Sequence, residues 1–172
     1  CIGRLEEVPQ PGDYFVTLLA GEPLLVVRGD DDQVRVLSNV CRHRWTQVAS
    51  GQGNAKRFVC PYHAWTYDRQ GRLVHTRYME QSGAFNPNCR LPELHTEVWQ
   101  GFLYVNLDGE ASPLAPRLAT LEKLIGDYHL DPENRVILIF EAPSVETVRD
   151  LLYESGFIHF NNGRIYPASR LS

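Results

Sequence analysis

The chain has 172 residues, 43% apolar and 22% charged, with a formal net charge of −4, the composition of a soluble globular protein of one domain, or of a small domain with an appendage. No block of like charge runs longer than Asp30-Asp31-Asp32, which argues against nucleic acid or an anionic membrane as the main partner. The N-terminus, CIGRLEEVPQPGD, lacks a basic-then-apolar signal pattern, and no run approaches the roughly eighteen apolar residues of a membrane span, so a cytoplasmic location is expected.

In chain order, 14–19 (YFVTLL), 24–28 (LLVVR) and 33–37 (QVRVL) are β-branched, aromatic and apolar runs separated by AGEP and GDDD. Those separators are turn chemistry, so the three runs predict a β meander. A second set follows at 57–60 (RFVC), 64–67 (AWTY) and 72–74 (RLV), with DRQG as a hairpin turn. Residues 76–93, containing Gly83, Asn86, Pro87, Asn88 and Pro92, read as a long connecting loop. LHTEVW, Gln100-Gly101 and FLYVNL make a third hairpin. Up to about Asp108 the chain reads as a small antiparallel β domain.

The pattern changes after GEASP. Residues 114–128 put Leu114, Leu118, Leu121, Leu124 and Ile125 on one helical face, which predicts a helix. A strand, RVILIFEA, is expected next, then a second helix opened by Pro143 and capped by Ser144, with Val145, Val148, Leu151 and Leu152 along its face.

Two short pairs carry the chemistry. Cys41 and His43 stand in CRHRWTQ, and Cys60 and His63 in FVCPYHAW. Each pair lies in a loop beside a predicted strand. Thiolates are the usual ligands of iron–sulfur clusters, and imidazoles replace them on one iron of a two-iron, two-sulfur cluster. A structural zinc site groups its ligands as a Cys pair and a His pair, whereas each loop here mixes the two. A Cys/His nucleophilic dyad explains one member of each type and leaves the other pair over. The double pattern therefore points to a cluster held by Cys41, His43, Cys60 and His63. Cys1 and Cys89 have no paired histidine and are not expected to bind metal.

CRHRWT…CPYHAWTYDRQGRL resembles the Rieske domain of the alpha (large, terminal oxygenase) subunits of Rieske non-haem iron oxygenases. The likeness runs from VPQPGDYFVTLLAGEPLLVVRGDD to LPELHTEVWQGFLYVNLD and covers most of the first 110 residues. It implies a mainly β fold: a small antiparallel Rieske-type β domain over 1–112, with cluster-binding loops at about 40–75, followed by an α+β segment at 113–172. It also implies that Cys41 and Cys60 bind one iron of a 2Fe-2S cluster, and His43 and His63 the outer, more exposed one.

Cytochrome bc relatives carry an extra cysteine in each loop and a serine after the second histidine; Thr46, Tyr62 and Trp65 stand in those places here. Fewer hydrogen bonds to the cluster sulfurs are then expected, and a reduction potential toward the low end of the Rieske range of roughly −150 to +300 mV. Tyr62 and Trp65 are expected to pack the small domain and, in doing so, to shield the cluster from water. Arg42 and Arg44 either dock an acidic redox partner or are solvated loop charges.

Full-length family members also carry a mononuclear non-haem Fe(II) held by two histidines, a few residues apart, and one carboxylate. This sequence has no such histidine pair, because His75, His95, His129 and His159 lie too far apart along the chain. Neither Asp127 with His129 nor Glu154 with His159 completes a triad. The last forty residues resemble the closing part of an oxygenase catalytic domain, so the chain is expected to be part of a longer oxygenase. The resemblance implies a homotrimer, an NAD(P)H-dependent reductase or a ferredoxin as electron donor, and O2 and a small organic substrate, hydroxylated or dealkylated, as reactants. The alternative is a stand-alone Rieske ferredoxin.

Overall fold

The computed structural model describes residues 1–77, 86 and 88–125. The strands are β1 (Gly3–Arg4), β2 (Asp13–Leu19), β3 (Glu22–Arg28), β4 (Val34–Ser38), β5 (Gln52–Asn54), β6 (Phe58–Val59), β7 (Thr66–Tyr67), β8 (Leu73–His75), β9 (His95–Trp99) and β10 (Phe102–Asn106), followed by one helix, α1 (Ala115–Ile125). They form three antiparallel sheets in the orders β4-β3-β2-β5, β6-β7-β8 and β1-β10-β9. The expected meander is β2 to β4, and both expected later hairpins are present. The expected strand and second helix beyond residue 126 lie outside the described residues.

Strand β3 organises the molecule because both of its faces are buried. Leu25 and Val27 point into one core, with Leu37, Val48, Phe58, Tyr67, Leu73 and Leu91. Leu24 and Val26 point into the other, with Val8, Phe15, Val36 and Leu103. The period of two along the strand thus splits LLVV between two layers. Each fully buried side chain contributes roughly 2 kcal/mol of transfer free energy. Sheet β6-β7-β8 is seated on the first core, so Cys41 and Cys60 stand on a core that β3 helps to build.

Turn chemistry sets the registers. Ala20 (φ 51°) with Gly21 (φ 86°), and Gln100 (φ 49°) with Gly101 (φ 76°), are two-residue connections between paired strands, the left-handed pairs that match strand twist. Arg69 fastens the cluster-side sheet to the meander. Its Nε donates to the Ala55 carbonyl at 2.8 Å and its guanidinium pairs with Asp30. A Cβ on Gly12 would stand 2.5 Å from Nη2 of that guanidinium, so only glycine lets it pass. At the other end, the Glu97 carboxylate on β9 accepts the Leu114 N–H at 2.9 and 3.1 Å, satisfying a donor just ahead of α1. Leu118 and Leu121 of α1 are fully buried, as the helical periodicity predicts. Among the described residues no helix is long and apolar enough to cross a membrane.

Candidate metal centre

The two ligand loops have the same backbone. In the first, the Cys41 N–H donates to the Thr46 carbonyl at 2.9 Å, the Trp45 N–H returns to the Cys41 carbonyl at 3.0 Å, and Trp45 has φ 53°. In the second, the Cys60 N–H donates to the Trp65 carbonyl at 2.8 Å, the Ala64 N–H returns to the Cys60 carbonyl at 3.0 Å, and Ala64 has φ 57°. Each loop therefore opens on its cysteine and turns back four residues later through the left-handed region. That turn is what brings a cysteine and a histidine two or three residues apart to one side.

Each loop is held at its base. The Asn39 side chain, fully buried, accepts the Val48 and Ala49 N–H groups at 3.2 and 2.9 Å and donates to the Ala49 carbonyl at 2.9 Å. The second loop sits on the β6–β7 ladder, which pairs Val59 with Thr66 and Phe58 with Tyr67.

Along the sequence each loop mixes its ligand types, but in space they are sorted. Cys41 and Cys60 are buried, with their thiols in hydrogen-bond reach of each other. The His43 and His63 rings stand edge to face, with centroids 4.6 Å apart. The Nδ1 atoms of both histidines are buried and have no hydrogen-bond partner, a costly condition for a polar atom. Among the described residues no three of His, Cys, Asp and Glu converge on one point. The donors are therefore arranged as a thiol pair and an imidazole pair, which is the requirement of a two-iron cluster with two protein ligands per iron.

The electrostatics fit a bound cation pair. Burial, then the His63 ring and the Arg44 charge, lowers the pKa of His43, favouring the neutral ring that ligates metal. Burial pushes the Cys60 thiol up, while the backbone N–H groups of Tyr62 and His63 act in the opposite sense. Two facing thiolates away from water need positive charge between them, and a metal supplies it.

Aromatic rings cover the imidazoles. Trp65 stacks on His43 across the two loops, with centroids 4.7 Å apart and planes 7° apart, and Tyr62 lies 3.8 Å from His63. Trp65 also packs against the core, as expected of it. Tyr62 is 59% exposed, so it covers the His63 ring without belonging to a core.

One contact at the site has no signal in the spacing of the ligand motif. The Tyr67 hydroxyl accepts the Arg42 N–H at 3.1 Å and lies 3.4 Å from Cys41 Sγ. Burial, then the Cys41 sulfur, drives its phenol above the ordinary tyrosine range, so the proton stays on oxygen; toward a metal-bound Cys41 thiolate, which has no proton, the hydroxyl would be the donor. A hydrogen bond to sulfur disperses negative charge and favours the reduced state. Tyr67→Phe is therefore expected to lower the reduction potential by about 40 mV, the equivalent of roughly 1 kcal/mol for one electron. Protein-film voltammetry would read the shift, and an unchanged potential would remove Tyr67 from the account. Cys89 packs against the same core but has no histidine partner.

Comparison with known proteins is consistent with this geometry. The family described as Rieske [2Fe-2S] domain matches residues 1–96. The oxygenase subunit of carnitine monooxygenase from Acinetobacter baumannii is 36% identical over 120 residues, 69% of this chain and 32% of that one. The alpha subunit of benzene 1,2-dioxygenase from Pseudomonas putida is 35% identical over 133 residues, 76% of this chain and 29% of its own. Among solved structures, a naphthalene 1,2-dioxygenase variant bound to phenanthrene superposes with a TM-score of 0.68 at 32% identity, covering 72% of this chain and 29% of that one. The chain thus spans about a third of the length of the curated relatives it matches.

Proposed function

The chain belongs to the Rieske [2Fe-2S] domain family, and from that membership we propose that Cys41, Cys60, His43 and His63 hold the cluster of a terminal oxygenase component. When bound, such a cluster takes up and releases single electrons. The observation that carries the assignment is the sorting of four ligands from two mixed loops into a buried thiol pair and an imidazole pair with orphaned Nδ1 atoms.

The chain's own residues have divided roles in this reading. Cys41 and Cys60 would hold one iron of the cluster, and His43 and His63 the other. Tyr62 and Trp65 cover the two imidazole rings and would keep water from the metal they hold. Residues 1–112 form the cluster-bearing domain, and 113–172 begin a second segment to which Glu97 fastens the first turn. The electron donor is an NAD(P)H-dependent reductase or a ferredoxin, and O2 and a small organic substrate are the reactants; a mononuclear iron, which the full-length family carries, would supply the O2 chemistry. The relatives named for carnitine and benzene oxidation support an oxygenase over a stand-alone carrier, and so does the helix that continues past the last sheet strand.

The test is an intact-mass and iron determination on the purified polypeptide, with paramagnetic resonance of the reduced sample. The expected result is a Rieske signal, a mass well above 19.6 kDa and about one iron per chain beyond the two of the cluster. A Rieske signal from a 19.6 kDa polypeptide with cluster iron alone would assign the carrier function instead.

A further inference from the structure

The two buried thiols are placed to react with one another. Cys41 and Cys60 are 1% and 3% exposed in one core, and their sulfurs are within hydrogen-bond reach. Among the described residues no cysteine is in a disulfide. The fold itself holds the pair in place. Asn39 ties the base of the first loop, the β6–β7 ladder carries the second, and each loop is closed by its own backbone hydrogen bonds. Facing groups on so fixed a scaffold have a high effective concentration toward each other.

Burial decides which oxidant reaches them. Thiol–disulfide exchange needs a bulky disulfide to bring its sulfur up to theirs, whereas hydrogen peroxide is little larger than water. A lone thiolate attacked by peroxide goes on from sulfenic acid to sulfinic and sulfonic acids, which thiol reductants do not restore. A second thiol in contact takes the sulfenic acid first and stops the ladder at a disulfide. Cys89 is the competitor, because it packs on the same core near Cys41. It lies outside both loops, however, and Cys60 is the thiol in hydrogen-bond reach of Cys41.

We propose that Cys41 and Cys60 are a peroxide-modified pair: in the cluster-free protein they close a reversible disulfide that keeps both sulfur ligands recoverable. The proposal rests on the cluster assignment above. In the first step one sulfur takes an oxygen from hydrogen peroxide; the O–O bond breaks, and the thiol proton leaves in a molecule of water. In the second step the other sulfur attacks the sulfenic acid. The S–S bond forms, the S–O bond breaks, and the second thiol proton leaves in a second water. Two thiols lose two electrons and one peroxide gains them. Reduction by an external thiol reverses the bond and returns both ligands.

The experiment adds hydrogen peroxide, in native buffer, to the full polypeptide with its cluster until the Rieske paramagnetic signal is gone. Free thiols are then alkylated, and the chain is digested with trypsin in the absence of reductant. Cys1, Cys41, Cys60 and Cys89 fall in separate tryptic peptides, 1–4, 36–42, 58–69 and 78–90, so mass spectrometry reads each link directly. The expected main product joins 36–42 to 58–69, two hydrogens lighter than their sum, in the parent and in Cys89→Ser alike. Dithiothreitol followed by ferrous iron and sulfide is expected to restore the signal; iron and sulfide alone are expected to leave it about tenfold weaker. Sulfinic acid on Cys41 or Cys60 in place of the link overturns the proposal. So does a link from Cys41 to Cys89, the scrambled links of an unfolded chain, or a signal that returns equally well without dithiothreitol. The signal before peroxide separates the two levels. Its absence removes the cluster assignment and this proposal together, whereas its presence with no link between Cys41 and Cys60 removes the proposal alone.

Discussion

Alanine at His43 or at His63 is expected to abolish the Rieske paramagnetic signal of the reduced protein and to take most of the cluster iron with it. Each ring has its Nδ1 atom buried and unpartnered, so each is poised to give one bond that nothing else in the loops replaces. Removing it leaves an iron with a single protein ligand, in a pocket opened to water where Trp65 loses the ring it stacks on or Tyr62 loses its neighbour. Cys89→Ser is the matched control. Cys89 lies against the same core as Cys41 but outside both loops, and its replacement is expected to leave the signal as it was. A full-strength signal in either histidine variant, or its loss in Cys89→Ser, would overturn the ligand set.

Asn39→Ala is expected to cost about 3 kcal/mol of stability and to lower the melting temperature by roughly 10 °C. The asparagine amide makes three hydrogen bonds across the base of the first ligand loop, two accepted and one donated, and the residue has no exposure. With alanine there, the Ala49 N–H and carbonyl lose their side-chain partner in a confined space, and the loop that presents Cys41 and His43 loses its tie. Asn54 is the comparison: it hydrogen-bonds to Pro11 and Asp13 but is exposed, so water replaces those bonds and Asn54→Ala is expected to cost under about 1 kcal/mol. Equal unfolding midpoints for the two variants in urea would sink the claim that the Asn39 amide holds the loop.

The proposed ligand residues are legible in the sequence because the constraint is local: a cysteine, a histidine two or three residues on and a turn are all contained in CRHRWT and CPYHAW. The meander is legible for a similar reason, since LLVV and its neighbours carry β-branched runs between turn residues. Several other features depend on distant partners. Strand β5 is GQGN-like in composition, has no apolar pattern, and exists because β2 offers it a free edge. Strand β1 has two residues and is fixed by β10. The hydroxyl of Tyr67 reaches a sulfur 26 positions away, and the pairing of thiol with thiol needs two loops brought face to face. Trp45 is the sharpest case. Its backbone is left-handed at φ 53°, a conformation that favours glycine, and nothing in the residue's identity signals it.

The pairing of Gly3 with Leu103 bears on the order in which the chain assembles. Each ligand loop is closed by bonds spanning five residues, whereas β1 and β10 must be brought together from about a hundred residues apart. By the logarithmic cost of loop closure the longer span is dearer by about 2.7 kcal/mol of chain entropy. Local hairpins and the two metal-ready turns therefore form early, and the strand that joins the two ends of the β domain docks late. Until that last sheet closes, the metal-ready turns stand on a scaffold that is folded on one side and open on the other.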